Sequence, residues 1–337
     1  MMITAQDRAT LLSLIERFPR QRVVMLGDLV ADEYVYGEIA RISREAPVLI
    51  LKQREKQVTP GGGANAANNL AELGAQVFPV GVLGDDEAGG ALLRYFREKR
   101  VSTRYVARLG GYPTPTKSRI LGGLSHWQHQ QIVRVDREPA QPLAREVRRR
   151  LTRSALPLLR ASSALLVSDY GYGSTDGAEV QFLLRRKGRA PLPITVDSRY
   201  DLLSYKNITT ATPNEPEVEA AFGAAIGNNQ ERLHALGRRL MRRQGFQALL
   251  VTRGRHGMVL FEPRQEPRHL PIFGSDQAVD VTGAGDTVIA AYTLALGAGA
   301  SFLHAAMLAN CAGGLVVMKR GTACVTGSEM KEAIRNA

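Results

Sequence analysis

The sequence has almost no cysteine. Two in 337 residues, Cys311 and Cys324, exclude a disulfide framework and suit a reducing compartment. No apolar run approaches the roughly 18 residues that a membrane-spanning helix needs. The opening stretch MMITAQDRATLLSLIERF lacks a basic start, a long apolar centre and a small-residue cleavage site. It reads as a short amphipathic helix and not as a signal peptide, so a cytoplasmic protein is expected. Internal repeats and low-complexity linkers are missing as well. Nothing divides the chain, and one domain over residues 1–337 is expected. Acidic residues are the scarcer charge, 32 against 44 basic ones, for a formal net charge of +12. Aromatics make up only 6%. None is interleaved with the arginine clusters at 145–153, 185–189 and 238–243, as a base-stacking surface would require. Those clusters interrupt amphipathic helical patterns and read as solvated helix faces, so no specific nucleic-acid partner is expected. A Walker Gly-Lys-Ser/Thr loop is absent. So is a Gly-x-Gly-x-x-Gly after the first apolar run, which ends in Gly27-Asp28.

What is present is an alternation. Short apolar runs at 22–28, 77–83, 164–169, 193–197 and 248–252 each read as a buried strand, with helical stretches between neighbours. That is the pattern of an α/β fold with a doubly wound, mostly parallel sheet and helices on both faces. Ligands in such sheets bind beyond the carboxyl ends of the strands, where Asp28, Asp169, Asp197 and Thr252 fall. Segments 33–59 and 115–137 break the rhythm and hold β-like runs. They read as a small antiparallel sheet, either a lid over the site or a plain hairpin ornament. His126, Trp127 and His129 lie in the loop of the second segment and read as solvent-facing, with no metal-site spacing.

Two glycine-rich segments carry chemistry. In the first, Asp280-Val281-Thr282-Gly283-Ala284-Gly285-Asp286 opens the apolar stretch 288–296. Glycines at a helix start expose its first N–H groups, which with the helix dipole form an anion pocket. Asp286 there is either a simple helix cap or a base that takes a hydroxyl proton while the amides hold phosphoryl oxygens. In the second, Gly61-Gly62-Gly63-Ala64-Asn65 permits close backbone approach, and Asn65 suits sugar hydroxyls.

These two segments, with Ser168-Asp169-Tyr170-Gly171, Thr212-Pro213-Asn214 and Val251-Thr252-Arg253-Gly254, resemble the ribokinase-like, or PfkB, sugar kinases over essentially the whole chain. Within that family the pattern is most similar to the kinase part of bacterial heptose-phosphate kinase/adenylyltransferases. Tyr34 to Gly37, Arg41 to Ser43 and Glu45 to Val48 carry that closer likeness.

The resemblance implies an ATP-dependent phosphotransferase acting on a sugar-phosphate hydroxyl, with the anomeric hydroxyl of heptose 7-phosphate as the expected acceptor. It makes Asp286 the base and Gly283, Ala284 and Gly285 the anion hole. Asn214, Glu217, Thr252, Gly254, Gly257 and Asn310 would serve the nucleotide, with Glu217 near Mg2+. Asp32, Gly62, Gly63, Asn65, Arg119, Gln131, Arg134 and Asp136 would face the sugar, though Arg134 and Asp136 also suit a bare ion pair. Asp280 and Thr282 match a potassium loop of some members. A homodimer through the lid, using Val48 and Ile50, is expected by the same likeness. The pattern departs from the heptose kinases at Glu33, Tyr172 and Ser198-Arg199. With the sequence closing at Ala337 just past the kinase pattern, a stand-alone kinase is expected. The competing readings are a kinase of another sugar or nucleoside and a non-catalytic sugar or nucleotide sensor.

Overall fold

The computed structural model describes residues 3–123, 130–188 and 192–337. In chain order the elements are α1 (Ala5–Arg17), β1 (Arg22–Gly27), β2 (Leu29–Ile42), β3 (Leu49–Gly61), α2 (Gly62–Glu72), β4 (Gln76–Gly84), α3 (Glu87–Glu98), β5 (Val106–Leu109), β6 (Thr116–Gly123) and β7 (Gln130–Arg137). They continue with α4 (Arg145–Leu159), β8 (Ala164–Asp169), α5 (Gly177–Arg186), β9 (Ile194–Ser198), β10 (Thr210–Ala211), α6 (Glu215–Phe222) and α7 (Gln230–Gln244). The last are β11 (Ala248–Thr252), β12 (Met258–Phe261), β13 (Arg268–Leu270), α8 (Ala284–Gly297), α9 (Phe302–Val316) and α10 (Gly327–Arg335).

The main sheet has the order β13-β12-β11-β10-β9-β8-β1-β4-β5. Every pair from β11 to β5 is parallel, and β12 and β13 add an antiparallel edge. Side chains alternate across a strand. Val23 and Met25 of β1 accordingly join one core with α1, α2, α3, α8, α9 and α10. Val24 and Leu26 join the other, with α4, α5, α6 and α7. Burying each such side chain is worth about 1.5–3 kcal/mol, which is why strands apolar on both faces hold the centre. Helix α8 is buried throughout 286–296, as an all-apolar helix must be. From β1 the order runs to β4 and β5 on one side and to β8 through β11 on the other. The reversal between β1 and β8 is where such sheets open a crevice.

The second sheet has the order β3-β2-β6-β7 and is built from the two segments that break the α/β rhythm. Its outer pairs are antiparallel and its inner pair, β2 with β6, is parallel. The parallel pair arises because β6 reaches β2 only after a long excursion through α2, β4 and α3 and not by a hairpin. Ile42, Val48 and Val135 leave large apolar side chains exposed on it, while Ile50 is half-buried. The arginine clusters lie on helix faces. Arg145, Arg149, Arg242 and Arg243 are exposed, and Arg148 and Arg238 pair with Asp176 and Glu266. Arg189, His126, Trp127 and His129 lie outside the described residues. Among those described, no helix is long and apolar enough to cross a membrane.

Gly27 ends β1 directly against the backbone of Ser168 on β8, and a Cβ there would clash with that carbonyl. Gly27→Ala is expected to lower the unfolding free energy by about 1–3 kcal/mol, as overpacking does. Urea unfolding checks this, and an unchanged midpoint would contradict the close strand approach.

Candidate active site

The N-terminus of α8 is set by Gly283, whose φ of 75° is a left-handed conformation that glycine adopts without strain. Three residues on, Asp286 is 4% exposed. A carboxylate so enclosed needs donors, and it has one on each oxygen. Asn65 of α2 donates Nδ2 to Oδ2 at 2.9 Å, and the Tyr170 hydroxyl donates to Oδ1 at 2.9 Å.

A chain of bonds orients the Asn65 amide. Thr287 Oγ1 donates to Asn69 Oδ1 at 2.9 Å, and Asn69 Nδ2 donates to Asn65 Oδ1 at 3.1 Å. Asn65 is left with only its NH2 to offer Asp286. Burial pushes the Asp286 carboxyl up to about 6, with the Asp32 charge adding to the rise and Asn65, Tyr170 and Lys117 pulling down.

Asp286 borders a cavity of about 570 Å3 over the carboxyl ends of the strands. One wall is cationic, with Lys117 and Arg119 from β6, Arg134 from β7 and Arg199 after β9. Arg119 pairs with Asp32 at 2.7 Å, yet burial still holds the Asp32 carboxyl above its usual range. Burial, with the Arg199 charge behind it, lowers Lys117. The same lining carries the carboxylates of Asp32, Asp169, Asp197, Glu217 and Asp286. Asp197 and Glu217 both lie above the usual carboxylate range, chiefly through burial, and for Asp197 through the nearby charges of Glu217, Asp286 and Asp169 as well. The Thr212 hydroxyl beside them is buried without a partner.

A second cavity of about 250 Å3 adjoins the first and shares Thr252, Val281 and Gly285 with it. Met258, Ile272, Val288 and Val317 make it apolar, with Asn310 at its edge. The paired cavities thus offer an apolar slot for a flat ring, a helix N-terminus for an anion, and a polar chamber beyond it holding a carboxylate.

The match to "pfkB family carbohydrate kinase" runs over residues 20–326. The chain belongs to the pfkB family of carbohydrate kinases. It is therefore a phosphotransferase with an alcohol acceptor. Relatives similar to this pfkB kinase include "Bifunctional protein HldE" of Pelobacter propionicus, 36% identical over 97% of this chain. The protein of that name from Pseudomonas savastanoi pv. phaseolicola is 38% identical over 95%. The chain spans 66% and 65% of the length of these two relatives. Among solved structures, Arabidopsis thaliana ribokinase complexed with ribose and ATP superposes with a TM-score of 0.71 at 21% identity, covering 94% of this chain and 99% of that one. Escherichia coli phosphofructokinase-2 in complex with potassium gives 0.75 at 17%, covering 94% and 98%. At these identities the two structures speak for the ribokinase-like fold alone.

In this pfkB chain the expected residues are distributed unevenly. Asp286, Gly283, Gly285, Asp32, Gly62, Arg119, Arg134, Asn214, Glu217, Thr252 and Thr282 meet at the first cavity. Ala284, Gly254, Gly257 and Asn310 line the second. Asn214 and Glu217 also cap α6, each side chain bonding the other's backbone N–H. Asn65 is spent on Asp286 and not turned into the chamber. Gly63 lies under the Asp28 carbonyl, which its N–H meets at 3.0 Å. Gln131 is exposed on β7 and lines neither cavity. Asp136 binds Arg134 through both oxygens, at 2.9 and 3.0 Å. Asp280 accepts the N–H groups of Thr282 and Gly321, which hold it below the usual carboxylate range although burial opposes them.

The departures from the heptose pattern are absorbed locally. Glu33 accepts from Ser118 and pairs with Lys56, Tyr172 donates to Glu138, and Ser198 donates to Asp169. Lys117, Tyr170 and Arg199, for which no site role is expected above, also line the first cavity, together with Asp197. Strand-end position signals Asp197, and alternation along β6 with Arg119 signals Lys117.

A Cβ on Gly285 would meet nothing within 4 Å, so a side chain there enters ligand space and leaves the core alone. Gly285→Val is expected to keep the unfolding free energy within about 1 kcal/mol of the parent. It should abolish the rise in melting temperature on adding ATP with magnesium. A retained rise would show that ligands do not occupy the α8 terminus.

Proposed function

We propose that this kinase transfers the γ-phosphoryl group of ATP to a sugar phosphate, and that the acceptor is the anomeric hydroxyl of heptose 7-phosphate, in the supply of ADP-heptose for lipopolysaccharide. The observation that carries the reaction type is the seat of Asp286, a carboxylate at a glycine-lined helix N-terminus facing a chamber with a cationic wall. With its carboxyl near 6, Asp286 is about ten parts ionised to one at pH 7. It is thus a base close in strength to the working pH, as proton transfer favours. Asp286 accepts the hydroxyl proton as the sugar oxygen forms its bond to the γ-phosphorus. The bond from that phosphorus to the β,γ-bridging oxygen breaks, and ADP leaves. The N–H groups at the start of α8 face the charge on the transferring group. The product on the heptose reading is the 1,7-bisphosphate. Lys117, Arg119, Arg134 and Arg199 favour an acceptor that already carries a phosphate, and the motif likeness points to heptose among such acceptors.

Asp197, Glu217 and the unpartnered Thr212 hydroxyl are oxygen donors only, a set that suits Mg2+ shared with phosphates. A bound Mg2+ would neutralise phosphate charge and ease the crowding of these carboxylates. Asp280 and Thr282 would hold a potassium ion by the same family likeness. We also propose a homodimer in which a second copy covers Ile42, Val48 and Val135 of the lid.

Asp286→Asn should lower turnover at least about a thousandfold while ATP binding persists. Coupled ADP release against phosphorylated heptoses, hexoses and pentoses measures this and the acceptor together. Activity within tenfold of the parent removes Asp286 from the reaction, and turnover of ribose or adenosine in place of heptose phosphate reassigns the acceptor. Sedimentation equilibrium is expected to show a dimer that Val135→Asp converts to monomer, and a monomeric parent ends the dimer proposal.

A further inference from the structure

The loop after β8 supplies one of the two grips on Asp286, and a second buried carboxylate holds that loop. Asp28, at the end of β1, is 1% exposed. Its Oδ2 accepts the N–H groups of Tyr170 and Tyr172 at 2.9 and 3.0 Å, and its Oδ1 accepts that of Ser174 at 2.9 Å. Asp169 adds a fourth tie, from the Gly171 N–H at 3.0 Å, and is itself held by the Ser198 and Tyr205 hydroxyls. Three N–H bonds to one carboxylate fix the backbone more firmly than neutral acceptors would. From this clamped loop the Tyr170 ring lies beneath Lys117, 5.1 Å from Nζ to the ring centre. Its hydroxyl reaches Asp286 Oδ1.

We infer that Tyr170 is a positioning residue for phosphoryl transfer: its hydroxyl, presented by a loop that Asp28 clamps, holds the Asp286 carboxylate in the orientation in which it receives the acceptor proton. The inference rests on Asp286 being the base. With Asn65 on one oxygen and Tyr170 on the other, the carboxylate plane is fixed by donors from two separate elements. Either donor alone would leave it free to turn about the bond to its Cβ. The hydroxyl is not needed for packing, because a phenylalanine fills the same space.

Tyr170 also favours the ionised form, since it donates to the anion. The other charged or titratable groups acting on this pair are Asp32 from β2, Lys117 from β6, Asp197 from β9, Arg199 after it, and Cys324 after α9. Removing the hydroxyl alone alters none of those charges. The sign follows: without the Tyr170 donor, Asp286 takes up its proton at a higher pH.

The Asp286 midpoint can be read with no substrate, by carbon-13 NMR of protein labelled at the aspartate carboxyl, with Asp286→Asn assigning the signal. Tyr170→Phe is expected to raise that midpoint by about one pH unit. 3-Fluorotyrosine placed at position 170 keeps the fold and strengthens the donor, so it should move the midpoint down. It decides the question by itself if the phenylalanine variant does not fold. In ADP release with MgATP and heptose 7-phosphate, Tyr170→Phe should lower kcat at least about tenfold with the KM for ATP unchanged. An unmoved midpoint in the folded variants overturns the inference. If Asp286→Asn keeps its activity, the base assignment fails instead, whatever the midpoint does.

Discussion

A single buried carboxylate constrains the architecture around it. Asp286 stands at the first turn of α8, enclosed by protein, and an ionised group in that place is tolerable only with donors aimed at it. Those donors come from far apart in sequence. Asn65 belongs to the helix that follows β3, and Tyr170 to the loop after β8, the central strand of the parallel region. The packing of α2 on α8, the Thr287–Asn69–Asn65 chain of bonds and the Asp28 clamp all serve to bring these donors to two oxygens. The burial that makes Asp286 expensive to ionise also leaves it a base of useful strength near neutral pH.

The chamber around it draws its charged groups from both sheets. Asp169 and Asp197 arrive on the ends of parallel strands, because that is where a doubly wound sheet leaves its crevice. Cations arrive mainly from the lid, on alternate residues Lys117 and Arg119 of β6 and on Arg134 of the neighbouring β7. Each sheet therefore brings groups of both signs, Asp32 with Arg119 from the small sheet and Asp197 with Arg199 from the main one, and the chamber lies where the two meet. The apolar slot next to it is shaped by α8, α9 and the antiparallel edge, and it shares Gly285 with the chamber. One glycine-lined helix end thus serves both spaces.

Much of this was legible in the residues. Each apolar run ending in Asp or Thr proved to be a parallel strand, because a strand buried on both faces has no other composition open to it. The glycine triplet at 61–63 and the glycines at 283 and 285 marked two helix starts, since side chains there would block the approach. Asn214 and Glu217 came from the family resemblance, and the structure adds that the two form a capping box on α6. The small second sheet was visible as two stretches lacking helical period. Its parallel central pair was not, because strand direction within a sheet depends on the route of the chain between β2 and β6 and not on the residues in either.

The sequence by itself determined the class of fold, the helix terminus that faces the site and the identity of the carboxylate there, because each depends on contacts within a few residues. The tertiary structure decided who attends that carboxylate. It turned Asn65 away from the chamber and onto Asp286, left Gln131 outside, and brought in Tyr170, Lys117 and Arg199. The two bonds to Asp286 join residues 221 and 116 positions apart, and a local pattern holds no information about which of two polar partners a folded side chain will meet.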